Sequence, residues 1–475
     1  MVFLAATDTR VRPVIPFEYS FNCWYNSIRM NRVRTRFAPS PTGFLHIGGL
    51  RTALYAYALA KHEGGDFLLR IEDTDQKREV EGATEALQKT LKKFGLVWDE
   101  LHIQSERQKT GVYKDAAEKL VASGFAFYCQ CKPKNAKEEG FSQELRDPCR
   151  DKRFTSGAIK LKVPENRTLS YTDFVHEKEI SWNSNDVYDA TLLKSDGFPT
   201  YHLAVAVDDT DMKVSHILRG HDWLPSTPIH ILVFEYLGGN MPKIGHLTDI
   251  LSSQTGKKLS KRRDSVFAEQ FIEEGYLPEA LLNFIMLLGW APKDNQELFS
   301  LEEFVKRFDI HGFQDANPRF FIDKLDWFNG YYIRQKTDEE LFKLFKPYLP
   351  ENSETELVNK IIPLVKERIK KLSDLPSFVG FFFNTPEVDK SLLGSKSNDH
   401  LSQAVEAIKN IKDWNLEILN ENLMNVVKTN DFKTGDFFMD LRIAITGTKF
   451  TPPINDSMII LGKEEVVERI NKVLN

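Results

Sequence analysis

Hydrophobic residues follow two patterns along the chain, short buried runs near the start and helical spacing towards the end. In residues 32–110, β-rich runs at 33–37 and 66–71 are each followed by a helical pattern, at 50–61 and 80–94. This βαβα alternation predicts a parallel, doubly wound sheet, the first half of an α/β fold.

The alternation is interrupted over residues 111–200. From residue 125 onward this stretch carries a cysteine cluster, a Lys/Glu-rich segment and short strand-like runs such as 158–163. We therefore predict an inserted α+β domain. The α/β pattern returns over residues 201–250, and a helix predicted at 228–237 completes the second half of the fold.

Helical periodicity dominates the rest of the chain. We predict a basic loop with a helical junction over residues 251–330 and an all-α domain over residues 331–475. The predicted helical segments are 268–274, 278–288, 301–308, 338–348 and 355–372.

Residues 1–31 lack such periodicity and form a separate N-terminal extension. One interpretation is an upstream start, with translation beginning at Met30. The other is an organellar targeting extension, although Asp8 and Glu18 are unusual in transit peptides, which contain few acids.

Composition is typical of a multidomain globular protein. The 475 residues exceed the roughly 250–300 at which single cores stop growing. No apolar run approaches the roughly 20 residues of a membrane span, so no membrane association is expected. The net charge of −5 argues against a uniformly basic surface but allows a local basic face for nucleic acid. Only four cysteines favour a reducing compartment, the cytoplasm or the mitochondrial matrix.

A Pro/Gly-rich loop joins the first predicted strand to the first helix, in residues 36–49 (RFAPSPTGFLHIGG). Gly48 and Gly49 would let backbone N–H groups approach a triphosphate, and a helix N-terminus favours its negative charge. His46 could donate a hydrogen bond as charge develops. Taken alone, such a loop is more often only a turn.

A second basic motif lies in residues 257–263 (KKLSKRR), after the flexible segment 252–256 (SSQTG). A mobile loop of this kind can close over ATP and place Lys258 and Lys261 against its phosphates. The alternative is a solvated charge run.

Together the two motifs resemble the HIGH and KMSKS signatures of class I aminoacyl-tRNA synthetases. The resemblance implies a Rossmann-like catalytic domain with an inserted domain, followed by all-α junction and anticodon-binding domains. Within the class, three further segments resemble glutamyl-tRNA synthetases of the bacterial or organellar type: 38–43 (APSPTG), 70–75 (RIEDTD) and 199–204 (PTYHLA).

The resemblance also implies the substrates. The enzyme would activate L-glutamate with ATP and Mg²⁺ to glutamyl-adenylate and transfer it to the 3′ end of tRNA(Glu). Whether tRNA(Gln) is also charged stays open, and a monomer is expected.

Residue roles follow from the same resemblance. Arg36 and Arg219 would face the carboxylates of glutamate, and Glu72 its ammonium, with Ser40 and Tyr201 as hydrogen-bonding walls. The alternative for the charged residues is an ordinary ion pair at strand ends. The ATP site would contain Ser40, His46, Gly48, Gly49, Asp222, Trp223 and Lys261.

The sequence departs from the family pattern at two places. Val205 stands where the family often has asparagine, which removes one polar contact to the amino acid. His221 and Asp222 stand where the family has an acidic pair, so only Asp222 retains a carboxylate.

Three clustered cysteines resemble the zinc site of some bacterial glutamyl enzymes. Cys129, Cys131 and Cys149, with Asp151 as fourth ligand, could hold a structural Zn²⁺. Free thiols are the alternative.

Basic residues of the helical region are candidates for contact with tRNA. Lys366, Arg368 and Lys370 would form the polar side of the helix predicted at 355–372. The alternative is an ordinary solvated face. Residues 324–329 (KLDWFN) resemble the family's junction to its anticodon-binding region.

Three other functions would share parts of this motif pattern. A glutaminyl-tRNA synthetase would carry a different loop at residues 39–42 and β-barrels in place of the C-terminal helices. A glutamyl-queuosine tRNA synthetase would lack residues 335–475. A non-catalytic tRNA-binding paralogue is disfavoured by His46, Lys258 and Lys261, although Val205 keeps it open.

Overall fold

The structure is a computed structural model. The predictions made for residues 1–31 and for Lys261 lie outside the residues it describes. The residues that the structure describes are 32–75, 80–131, 145–260 and 266–475.

Contacts within the chain define two compact units. The first comprises the described residues up to Leu251, with Lys257–Leu259 and Met286–Pro318. The second comprises the described residues of Ser252–Gly256, Ser260–Ile285 and Arg319–Asn475. The finer domain boundaries expected from the sequence stay predictions.

The strands are short. In chain order they are β1 (Arg34–Phe37), β2 (Asp66–Ile71), β3 (Glu100–Ile103), β4 (Ala126–Cys129), β5 (Ala158–Leu161), β6 (Thr168–Asp173), β7 (Lys178–Asn183), β8 (Thr191–Leu193), β9 (His216–Gly220), β10 (Lys243–Leu247), β11 (Leu251–Ser252) and β12 (Arg319–Phe320).

Helices occur in both units and dominate the second. Within the described residues, none is long and apolar enough to cross a membrane. In chain order they are α1 (Ile47–His62), α2 (Ala83–Lys93), α3 (Gln104–Lys109), α4 (Val112–Ala122), α5 (Tyr201–Asp211), α6 (Thr227–Leu237), α7 (Ala268–Glu273), α8 (Pro278–Met286), α9 (Leu301–Arg307), α10 (Ile322–Gln335), α11 (Asp338–Phe345), α12 (Thr355–Val365), α13 (Leu375–Val379), α14 (Ser397–Asn410), α15 (Leu416–Thr429), α16 (Thr434–Thr446), α17 (Ile454–Leu461) and α18 (Lys463–Leu474).

Parallel strands form the centre of the first unit, as the alternating pattern predicted. Strands β1, β2 and β3 pair in that order, and β9 and β10 form a second parallel pair. The N–H of Ser215 donates to the carbonyl of Arg34 at 2.9 Å, so β9 starts beside β1. Phe67, Leu68 and Leu69 are fully buried, as expected for a strand covered on both faces.

The first helix packs against this sheet through an almost wholly apolar side. Ile47, Leu50 and Leu54 of α1 are fully buried, each stabilising the fold by about 1.5–3 kcal/mol relative to exposure. His46 caps the helix, because its Nδ1 accepts the N–H of Gly48 at 2.9 Å. The turn after β1 thereby delivers a histidine and two glycines to one helix start.

The inserted region has two antiparallel sheets, as an α+β insertion requires. Strands β4, β5 and β8 form one sheet, and β6 and β7 form a hairpin. Its apolar core combines Tyr113 and Leu120 of α4 with Ile159 and Leu161 of β5 and Leu203 of α5. The insertion therefore shares its core with a helix of the catalytic fold.

Helices of the second unit bury two apolar clusters. One centres on Ile333 and Ile362, and the other on Leu401, Leu423 and Ile470. This arrangement confirms the all-α character predicted for the C-terminal region.

The predicted helix at 355–372 is too long. Helix α12 ends at Val365, and the next residues form turns in which Arg368 and Ile369 both donate to the Val365 carbonyl. Pro363 lies inside its last turn and lacks an N–H for the helical ladder. The turn keeps Ile369 buried while ending the helix.

Candidate functional site

Charged residues gather at the carboxyl ends of the parallel strands. Arg36 lies at the end of β1, Glu72 just beyond β2, and Arg219 and His246 near the ends of β9 and β10. Because parallel strands end at a common edge, this is where open α/β sheets bind ligands.

A buried network joins two arginines to two carboxylates. Asp209 Oδ1 accepts from Arg70 Nη1 at 2.6 Å and from Arg36 Nε at 3.3 Å. Arg70 Nη2 also donates to Glu72 Oε1 at 3.0 Å. Arg70 and Asp209 are fully buried, so each charge depends on these partners.

Burial and charge act in opposite directions on the two acids. Burial raises the pKa of Glu72 above its ordinary value, although Arg70 and Arg36 oppose this shift. For Asp209, burial also favours the neutral form, but Arg36 and Arg70 outweigh it and lower the pKa. Of the two acids, Glu72 is therefore the one whose ionised form a bound cation would stabilise more.

Arg219 is held by neutral groups. Its Nε donates to His246 Nε2 at 3.0 Å, its Nη1 lies 3.1 Å from His230 Nδ1, and its Nη2 donates to Thr227 Oγ1 at 2.7 Å. The side chain is buried, and within the described ranges no carboxylate pairs with it. A buried guanidinium without a counterion favours an anionic ligand.

The imidazoles around Arg219 stay uncharged. Burial lowers the pKa of His230 well below the ordinary range, and the positive charge of Arg219 lowers it further. Burial likewise lowers the pKa of His246 and brings that of His202 to about 4. At neutral pH these rings therefore act as hydrogen-bond partners and leave the arginine charge uncompensated.

Tyr201 connects the two arginine sites. Its hydroxyl lies 3.5 Å from Arg219 Nη1. Burial raises its pKa, Arg219 and Arg36 lower it, and Glu72 raises it, so all three charges lie around one phenol. Arg36, Glu72 and Arg219 thus all act on Tyr201, as predicted for residues of one amino-acid site, whereas Val205 is buried and offers no polar group.

The Pro/Gly loop lies beside this space. The N–H of Glu72 donates to the carbonyl of Pro39 at 2.9 Å, and Ser40 is exposed next to it. Because His46 Nδ1 accepts from Gly48, the ring proton belongs on Nε2, where it can be donated.

The described end of the basic loop is fixed by two acids. Lys258 Nζ lies 2.5 Å from Asp222 and 2.9 Å from Asp249. Trp223, which is 43% exposed, packs against Tyr201 with ring centroids 4.3 Å apart. The second motif thereby reaches Asp222, and Trp223 lies against Tyr201; both Asp222 and Trp223 are predicted to line the ATP site.

The cysteine cluster forms with a different acid from the one expected. Cys129, Cys131 and Cys149 gather with Asp147, all ligand atoms lying within 4.8 Å of one another. Asp151 is instead 89% exposed and 3.6 Å from Lys162. Asp147 is the better placed because its Oδ1 accepts the N–H of Cys149, which turns the carboxylate towards the sulfurs.

The predicted basic side does not form one helical face, because α12 ends before it. Lys366 is bound to the Lys336 carbonyl at 2.6 Å. Lys370 is 65% exposed and 4.0 Å from Asp326. Burial lowers the pKa of Arg442, and the positive charge of Arg368 lowers it further.

Several residues of the site escaped the sequence reasoning. Arg70 lies inside a recognised motif, and its neighbour Glu72 was singled out instead. His246 lies near the carboxyl end of β10, where a parallel sheet binds ligands, so a polar residue there is a signal. Asp209 lies near the end of α5, and no motif includes it. Asp173 and Asp147 lie in the insertion. No sequence pattern predicts that Asp173 contacts His246 of the sheet or that Asp147 joins the cysteine cluster.

Comparison with known proteins separates the families that share such a site. The model of the family "tRNA synthetases class I (E and Q), catalytic domain" matches residues 32–327, and that of the "Anticodon binding domain" matches 340–474. Glutamate–tRNA ligase of Finegoldia magna is 40% identical, over 94% of this chain and 100% of its own length. The chain belongs to the glutamate–tRNA ligase family.

Other ligases of the family agree with this assignment. The Borreliella afzelii ligase is 38% identical over 92% of this chain and 97% of its own. Crystal structures of glutamate–tRNA ligases from Elizabethkingia meningosepticum, in complex with its amino acid, and from Elizabethkingia anophelis each reach a TM-score of 0.81 at 34% identity. Both cover 94% of this chain, and 99% and 100% of their own.

Family membership confirms the predictions of fold class and enzyme class. The protein is an aminoacyl-tRNA ligase with an α/β catalytic region and a helical anticodon-binding region. The match over residues 340–474 also disfavours the truncated glutamyl-queuosine enzyme, which lacks that region.

Proposed function

We propose that this chain joins L-glutamate to tRNA(Glu) at the expense of ATP. The observation that supports it best is the geometry around Arg219, a buried guanidinium whose described partners are all neutral. A substrate carboxylate supplies the missing negative charge. Glu72, whose pKa is raised by burial, receives the substrate ammonium on the other side of Tyr201.

The same pocket discriminates against glutamine. A glutamine side chain presents an uncharged amide, whose N–H group would leave an arginine donor unpaired. An unsatisfied buried charged group costs about 1.5–3 kcal/mol, a factor of roughly ten to a hundred in binding. Arg36 and Arg219 are the two arginines available for the two carboxylates of glutamate.

Activation requires positioning and no protein nucleophile. The α-carboxylate of glutamate attacks the α-phosphorus of MgATP, and pyrophosphate leaves. The N–H groups at the start of α1 and His46 Nε2–H stabilise negative charge on the phosphates. Lys258 and Lys261 add positive charge from the basic loop. The terminal ribose hydroxyl of tRNA then attacks the carbonyl carbon of the mixed anhydride, which forms the ester bond, breaks the bond to the phosphate oxygen and releases AMP.

Charging assays test this function directly. ATP-dependent attachment of labelled glutamate to total tRNA should be rapid for the wild type and nearly absent for Lys261→Ala. Labelled glutamine should not be attached. Absence of any glutamate charging would reject the proposal and favour a non-catalytic tRNA-binding paralogue.

Zinc is a separate proposal. The three thiols and the Asp147 carboxylate match the sulfur-rich, four-ligand sets of structural zinc sites. Cys131 Sγ and Cys149 Sγ are 3.3 Å apart, and Cys129 Sγ is 3.5 Å from Asp147, spacings close to those of a tetrahedron. Zinc held there would brace the start of the insertion.

We further propose that tRNA lies along the second unit, including Arg368 and Lys370. The side chain of Lys370 is 65% exposed and its ammonium group lies 4.0 Å from Asp326, so its positive charge is accessible to a phosphate. Alanine at either position should raise the KM for tRNA and leave the KM for glutamate unchanged.

A further inference from the structure

Asp173, at the end of β6 in the insertion, is completely buried beneath the ligand edge of the sheet. Its carboxylate accepts the N–H of Val175 at 3.0 Å and that of His246 at 3.1 Å. It also lies 2.7 Å from Nδ1 of His246. Such a carboxylate is costly to bury unless these donors are held in place.

The contact fixes the protonation of His246. Because Asp173 accepts hydrogen bonds only, Nδ1 of His246 must carry the ring proton. Nε2 is then an acceptor, and it faces Arg219 Nε at 3.0 Å. The opposite tautomer would set two N–H groups against each other.

The hydrogen-bonded chain reaches the proposed substrate position in two steps. Asp173 orients His246, and His246 orients Arg219. His230 and Thr227 hold the remaining nitrogens, so the plane of the guanidinium is set at all three. A bidentate grip on a carboxylate depends on that plane.

Close packing joins the Asp173 turn to β10. The N–H of Phe174 donates to the Ile244 carbonyl at 3.2 Å. A methyl group placed on Gly245 would overlap Val175 and come within 2.9 Å of the Phe174 ring. The turn therefore packs tightly against β10, the strand that contains His246.

We propose that Asp173 and His246 are positioning residues that set the affinity for glutamate by aiming Arg219. The insertion, whose other elements lie outside the sheet, thereby supplies part of the amino-acid pocket. This inference rests on the proposed function, because it takes Arg219 as the residue that binds a substrate carboxylate.

Two substitutions at one position separate the roles of the ring nitrogens. In His246→Gln the amide oxygen can occupy the place of Nε2 and accept from Arg219. In His246→Asn the shorter amide can reach Asp173 but leaves Arg219 Nε without its acceptor. The KM for glutamate should rise about tenfold or more in His246→Asn and less than about threefold in His246→Gln. The kcat and the KM for ATP should change little in both.

A matched pair in the second unit serves as control. His400 Nδ1 lies 2.7 Å from Asp440, and both are buried, so His400→Asn makes the same chemical change within the second unit. It should leave the KM for glutamate unchanged. Asp173→Asn gives a second test, since its amide can hold His246 in the opposite tautomer and should also raise that KM.

The possible outcomes distinguish the inference from the proposed function. Equal KM values for His246→Asn and His246→Gln, or an unchanged KM in Asp173→Asn, would overturn the inference. Arg219→Lys measured beside them decides the function: an unchanged KM for glutamate there would reject Arg219 as a substrate ligand. If His246→Asn fails to fold, by circular dichroism, Asp173→Asn decides alone.

Discussion

At the scale of single residues, burial without a matching charge decides what the pocket binds. Arg36 and Arg70 have carboxylate partners, whereas Arg219 has imidazoles and hydroxyls. The resemblance to glutamyl-tRNA synthetases implied the roles of Arg36, Glu72 and Arg219, whose charges suit an amino acid with two carboxylates and an ammonium. Their unequal partners were not predicted, because Asp209 is 173 residues from Arg36, His246 is 27 residues from Arg219, and no recognised motif joins either pair.

The raised pKa of Glu72 predicts a pH dependence of substrate affinity. The ammonium of glutamate needs the ionised carboxylate, and burial shifts its protonation above the ordinary value of about 4.3. The KM for glutamate should therefore rise as the pH is lowered below neutral and recover when neutral pH is restored. Glu72→Gln should show a high KM with no such rise; the same rise in that variant would contradict the assignment.

At the scale of elements, local patterns predicted most strands and helices but not their ends. The first two strands and α1 follow the predicted runs closely. The helix predicted at 355–372 stops at Val365. The apolar spacing does not show this end, because Ile369 and Leu372 are buried although they follow the helix. The pairing of the Asp173 turn with β10 joins elements about 70 residues apart, which periodicity cannot detect.

Gly245 tests that pairing. Gly245→Ala forces a methyl group against Val175 and Phe174, so it should destabilise the fold by about 1–3 kcal/mol. A lower Tm in thermal unfolding would report this change. Gly435→Ala is the matched control, because no atom lies within 4 Å of the added methyl and alanine favours its helix. Equal Tm values for the two variants would argue against tight packing at β10.

Zinc binding by the cysteine cluster is tested by replacing its acidic residue, Asp147. Purified protein should contain about one zinc per chain if the four ligands bind as proposed. Asp147→Ala should lose most of the metal and lower the Tm, whereas Asp151→Ala should retain it. Equal zinc content in the two variants would show that Asp147 is not a ligand.

At the scale of the whole molecule, composition and motif order were sufficient to predict the architecture. Five motifs in order along residues 34–334 led to an α/β catalytic region, and the helical remainder led to an anticodon-binding region, in agreement with both family matches. The two units contain different functional regions. The first contains the proposed amino-acid pocket, and the second contains the region matched to anticodon binding.

The most direct test of the central claim is the KM for glutamate in tRNA charging, compared between wild type and Arg219→Lys. Lysine keeps the positive charge but cannot form the planar fork held by His246, His230 and Thr227. We expect the KM to rise about tenfold to a hundredfold, with the KM for ATP nearly unchanged. A glutamate KM equal to that of the wild type would contradict the claim that this buried guanidinium selects the substrate.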